Sequence, residues 1–136
     1  MTARRVGNAL RDLGGAVLVV LVLSAFGTAV EPRDQERGID ARVAALLTGY
    51  AASDGRALHH PRVVLQELRG GAVASSSCDD WRIAIRPEAA SNLSDDALDE
   101  LLAHELAHLL VCAETGRSAA HGSEWWRRYH ALRNLT

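Results

Sequence analysis

The segment HELAH contains three residues, His104, Glu105 and His108, whose types and spacing suit a metal site that carries its own base. On a helix, positions four apart lie about 40° apart and one turn along, so both imidazoles reach a single point beside the helix. Glu105 follows His104 directly and leans about 100° round the helix, which sets its carboxylate beside that point, where it can take a proton from bound water. HExxH thus combines two ligands for a zinc ion with a general base. The alternative is a pair of histidines on a polar helix face, and the neighbours argue against it. Leu101, Leu102, Leu106, Leu109 and Leu110 make this the most apolar helix after the N-terminal run. Burying imidazole or carboxylate groups among them without partners costs about 1 to 3 kcal/mol each.

A catalytic zinc site takes a third protein ligand and keeps a position open for water. Glu114 stands where the pattern HExxHxxGxxH has its last ligand, but that pattern turns the chain at a glycine and Val111 occupies the place. Cys112 continues the line of His104 and His108, yet it lies about 12 Å along the axis from His104, too far for a short side chain. His121 and Glu124 remain, both beyond the helix break at Gly116 and next to the last predicted helix. A returning helix presents either one.

The central helix is predicted to start at the N-cap Ser94, with Asp95 and Asp96 in a first turn where the helix dipole favours negative charge, and to stop at Gly116. A last helix is predicted over 123–132, carrying Trp125, Trp126 and Tyr129. Ahead of these, Ile39, Val43, Leu46, Leu47 and Tyr50 recur at spacings of three and four and give a first helix over about 35–52. RVVLQEL after Pro61 reads as a strand, Gly70 and Gly71 as a turn, and residues 72–75 as a second strand. WRIAIRP alternates Trp81, Ile83 and Ile85 with Arg82, Ala84 and Arg86, the pattern of a strand with one buried side. His59 and His60 lie in the loop before the first strand and read as solvated, without a partner at metal spacing. The expected fold is α+β: a helix, a short antiparallel sheet, the HExxH helix and a C-terminal helix.

The 136 residues, 48% hydrophobic and 24% charged, suit one small domain. All 15 basic residues are arginine, and the net charge of −2 with no basic run past the N-terminus argues against a nucleic-acid partner. Arg4, Arg5 and Arg11 precede an apolar run from about Leu13 to Val30. Its length falls between a signal-peptide core and a spanning helix, which needs about 18 or more residues. Residues 1–30 are therefore expected to be an export segment, a single-pass anchor in preference to a cleaved signal peptide, with the rest on the extracytoplasmic side. Under the alternative the protein is secreted. Residues 31–38, EPRDQERG, read as a linker, and 39–136 as the domain. Cys78 and Cys112 fall in the exported part, where they either pair or remain buried thiols.

LLAHELAHLL followed by HGSEWW resembles the SprT-like zinc metallopeptidases and, more loosely, minigluzincin-type domains. The resemblance covers about residues 80–130 and implies a zincin-like fold, a zinc cofactor, and His104, His108 and His121 as ligands. Gly122 and Trp125 then match the glycine and the aromatic residue that follow the third ligand. It implies Glu105 as general base in the hydrolysis of protein or peptide substrates, lying along an edge strand that WRIAIRP is expected to supply. Glu124 is then a solvated residue, a group that orients His121, or its replacement as ligand. Trp125 and Trp126 are expected as core and rim, and Tyr129, His130 and Arg127 are the candidates for stabilising an oxyanion. No cysteine-rich zinc ribbon follows these residues and an export segment precedes them, so DNA-linked repair, a role found in that family, is not expected here. The competing reading keeps the zinc as a structural clamp without turnover.

Overall fold

The computed structural model describes residues 30–55, 58–117 and 120–136. The export segment expected over 1–30 lies outside them apart from Val30; among the described residues no helix is long and apolar enough to cross a membrane.

Helix α1, Pro32–Asp54, buries Ile39, Val43, Leu46, Leu47 and Tyr50, the face marked by the three-four spacing. It begins earlier than the apolar pattern, because Pro32 sits in its first turn, where the missing N–H has no helical partner to lose. Residues 32–38, read as linker, are consequently helical. Charged residues with no apolar face carry no period from which to read a helix start.

Strands β1 (Arg62–Leu65), β2 (Ala74–Ser77) and β3 (Arg82–Ile85) form one sheet in the order β1-β3-β2. β2 and β3 are an antiparallel hairpin, whereas β1 runs parallel to β3. The sheet is therefore mixed, which corrects the expected antiparallel arrangement. After β1 the chain passes through a 3-10 turn at Arg69–Gly71 and enters β2 one strand-width too far out to pair with β1, so β3 inserts between the two. β3 is central, and Ala84 is as buried as Ile83 and Ile85, all at most 1% exposed. Its predicted polar side thus fails at Ala84, a side chain too short to reach past its neighbours to solvent.

Pro87, expected to stop the strand, also opens a short helix α2, Pro87–Asn92. Helix α3, Asp95–Thr115, carries HExxH. The Ser94 hydroxyl accepts the Ala97 N–H at 3.3 Å, and Gly116 closes the helix at φ 68°, a left-handed backbone that favours glycine. Helix α4, Ser123–Arg133, then packs back on α3. The core they share contains Val43, Ile83, Ile85, Leu102, Leu106, Leu109 and Leu132, all at most 1% exposed.

Two links hold this core together beyond apolar burial. Cys78, just after β2, forms a disulfide with Cys112 of α3, with Cα atoms 5.9 Å apart. On the loop-entropy model such a closure stabilises by about 3 to 4 kcal/mol. Arg128 of α4, 6% exposed, donates to the Tyr50 hydroxyl and to Glu114, with Asp54 3.6 Å away. Burial opposes its charge, and the bonds to Glu114 and Tyr50 outweigh that, so its basicity rises. One guanidinium thereby joins α1, α3 and α4. Arg128→Met is expected to cost about 3 kcal/mol, because Tyr50, Asp54 and Glu114 lose the buried guanidinium they share; urea unfolding measures it.

Candidate metal centre

His104 and His108 project half-buried from one side of α3. His121 reaches them because the chain reverses after Gly116 and re-enters a helix at Gly122, the N-cap of α4. Its Nε2 atom lies 3.1 Å from His108 Nε2 and 3.2 Å from His104 Nε2. A single ring nitrogen carries at most one proton or one lone pair, so His121 Nε2 cannot make both contacts as ordinary hydrogen bonds between neutral rings unless the proton roles alternate round the set. Three lone pairs aimed at a common ion resolve the crowding. Nitrogens about 2.0 to 2.1 Å from a tetrahedral zinc lie about 3.3 Å from one another, close to the two separations from His121 Nε2. Among the described residues these three form the group able to hold a metal, and the fit is to a borderline-soft ion such as zinc.

The surroundings keep the rings suited to ligation. Burial, followed by the charge of His121, pushes the His104 pKa down and so favours the neutral, ligating form. Trp125, 3% exposed, lies against all three rings, with centroids 4.7 Å from His104, 5.4 Å from His108 and 4.3 Å from His121. It limits where they can turn. Trp126, 48% exposed, forms a rim and stacks on His130. Both tryptophans thus sit as expected, one in the core and one at its edge.

Glu105 is 6% exposed, and this burial raises its pKa. Hydrogen bonds from Ser76 and the charges of His108 and His121 act in the opposite direction. Both the hydroxyl and the backbone N–H of Ser76 contribute. Sequence reasoning missed Ser76, since ASSSC holds three serines and no spacing that singles one out.

Of the remaining candidates, Tyr129 lies nearest, its ring centroid 6.2 Å from that of His104. Glu124 is exposed and paired with Arg127, Glu114 bonds Arg128, and Cys112 is in the disulfide. The Tyr129 hydroxyl donates to Glu100 at 2.9 Å while its ring stacks on Trp125. His59 and His60 are both exposed, as expected of a solvated pair; His60 Nδ1 lies 2.8 Å from the Pro61 carbonyl, and the His59 backbone carbonyl accepts from Trp81 Nε1. WRIAIRP, expected at the sheet edge, is the central strand β3, paired on both sides. The edge next to α3 is β2.

Protein SprT of Pectobacterium carotovorum subsp. carotovorum (strain PC1) is 39% identical over 74 residues, 54% of this chain and 43% of that protein. Protein SprT of Pectobacterium atrosepticum is 40% identical over 73 residues, 53% of this chain and 42% of that protein. The match thus spans less than half the length of these relatives. A crystal structure of the metallopeptidase zymogen of Pyrococcus abyssi abylysin superposes with a TM-score of 0.48 at 27% identity, over 68% of this chain and 87% of that one. The model of the SprT-like family matches residues 43–136, a stretch that includes HExxH, His121 and Trp125, and the chain therefore belongs to the SprT-like family.

Proposed function

We propose that this protein is a zinc-dependent peptidase, with His104, His108 and His121 holding the ion and Glu105 acting as general base. The observation that carries the reading is the convergence of three imidazole nitrogens beside a buried carboxylate. Zinc bound there supplies Lewis acidity for water and for the peptide carbonyl. Glu105 takes the proton of the attacking water and then delivers it to the leaving amine. Its raised pKa suits both halves of that task, since the carboxylate must accept a proton and later release it. The family resemblance supports the same assignment.

The substrate of this reading is an extended polypeptide, and the strand that receives it is β2 rather than the segment expected from the sequence. Among the described residues β2 pairs only with β3, and it borders α3 and leaves one edge for main-chain hydrogen bonds. The domain works outside the cytoplasm, membrane-tethered in preference to secreted. Support comes from the disulfide, which oxidising compartments favour, and from the arginine-flanked apolar run. A clamp without turnover would use the same histidines, but nothing in it requires a carboxylate to be buried beside them.

Purified protein is expected to bind one zinc per chain. His121→Ala should weaken that binding at least about 100-fold because one of three ligands is gone, while Glu124→Ala leaves it within about twofold; competition with a chelating dye reads both. Glu105→Gln should keep zinc and fold yet lower hydrolysis of an unfolded protein substrate by about 10²- to 10⁴-fold, measured as initial rates. Unchanged rates would remove the catalytic role and leave the clamp.

A further inference from the structure

The Trp125 indole lies against all three imidazoles, yet no hydrogen bond sets how it lies. Its Nε1 N–H is buried and reaches no acceptor among the described residues. Its orientation therefore comes from the rings around it. Tyr129 of α4 lies flat against the indole, with centroids 4.9 Å apart and planes at 11°, whereas Trp126 meets it edge-on at 80°. The Tyr129 ring also stands edge-on to His104, at 74°. Flat offset and edge-to-face pairs are the two arrangements that ring quadrupoles favour.

Tyr129 is in turn held at its far end. Its hydroxyl donates to Glu100 Oε1 at 2.9 Å, and Arg133, paired with the same carboxylate at 2.7 Å, donates to the hydroxyl oxygen at 3.4 Å. Glu100 belongs to α3 and stands one helical turn before His104. The contacts thus close a circuit that begins and ends on one helix: Glu100, the Tyr129 hydroxyl and ring, the Trp125 indole, and the imidazoles of His104 and His108. By itself the exposed Glu100 and Arg133 pair would hold little. The phenol hydroxyl connects it to the aromatic stack.

We propose that Tyr129 is a positioning residue for the metal centre: its ring sets the plane of Trp125 and through it the imidazoles, and its hydroxyl on Glu100 sets the ring. The inference rests on the zinc site of the peptidase reading above and extends it to residues outside HELAH and HGSEWW. A ligating imidazole has to aim one nitrogen at the ion, and rotation about its side-chain bonds spoils that aim. Rings already turned inward lose less freedom when the ion binds. Without Tyr129 the indole tilts, while α3 and α4 stay together through Arg128 and the core. The loss then falls on metal affinity rather than on the fold.

The test is the zinc affinity of the metal-free full chain, by competition with a chelating dye, under conditions where urea unfolding shows each variant to be folded. Tyr129→Leu removes both stack and anchor and should weaken zinc binding about 10- to 100-fold. Tyr129→Phe keeps the stack and loses the anchor, and Glu100→Ala removes the anchor from its other side, so each should weaken binding about three- to tenfold. Glu100→Gln retains an acceptor for the hydroxyl and should stay within about twofold of wild type. Because one bond is shared, Tyr129→Phe/Glu100→Ala should bind no more than about twofold worse than the poorer single variant. A residue that only stabilises the fold would move the urea midpoint and leave the affinity of the folded protein unchanged. Should Tyr129→Leu not fold, Tyr129→Phe and Glu100→Ala carry the comparison. Folded Tyr129 variants within about twofold of wild type overturn the positioning role and leave the zinc site standing. Loss in Tyr129→Leu with none in Tyr129→Phe or Glu100→Ala overturns the anchor. Wild type that takes up no stoichiometric zinc overturns the site and the peptidase reading together.

Discussion

The Nε2 atoms of His108 and His104 lie 3.1 and 3.2 Å from His121 Nε2, an arrangement that neutral rings have little reason to adopt by themselves. Lone pairs so close repel unless protons or a cation lie between them, and the rest of the structure is organised to hold that crowding. The four-residue spacing on α3 sets two of the rings. The third depends on the reversal after Gly116 and on α4 packing back along α3. Trp125 occupies the space behind all three rings, so the packing that buries a core tryptophan also fixes the imidazoles. On the same helix pair, Arg128 holds α4 to α3 and α1 through Glu114, Asp54 and Tyr50.

The carboxylate poses a different problem, because a buried charge is opposed by desolvation and stands only where donors and cations meet it. For Glu105 those are Ser76 on β2 and the imidazoles of His108 and His121. Burial is the larger influence, and it holds the carboxyl above its ordinary range. The disulfide ties the end of β2 to the helix that carries this carboxylate.

Much of the frame was legible because its signals are local. Ser94 and Gly116 bound α3 where capping chemistry says they should, and the three-four spacing of Ile39 to Leu47 marked the buried face of α1. HExxH needs only helical geometry to be read, whereas choosing His121 over Glu124 drew on the resemblance of HGSEWW to a family pattern. The Glu124 and Arg127 pair at i,i+3 was itself readable as a reason to leave Glu124 on the surface. Other features depend on distances between segments remote in sequence. The parallel pairing of β1 with β3 follows from where the turn at Gly70 and Gly71 delivers the chain, and the alternation in WRIAIRP does not tell a central strand from an edge. Ser76 carries no mark within its own stretch of sequence. Its place beside the HExxH helix comes from the packing of β2 on α3.

Zinc K-edge absorption on the reconstituted protein, recorded for wild type and for His121→Ala, tests the central claim most directly. The account predicts three imidazole nitrogens at about 2.0 to 2.1 Å and one light oxygen donor in the wild type, with one imidazole fewer in His121→Ala. A wild-type shell containing sulfur, or an imidazole count that stays the same when His121 is removed, would contradict it.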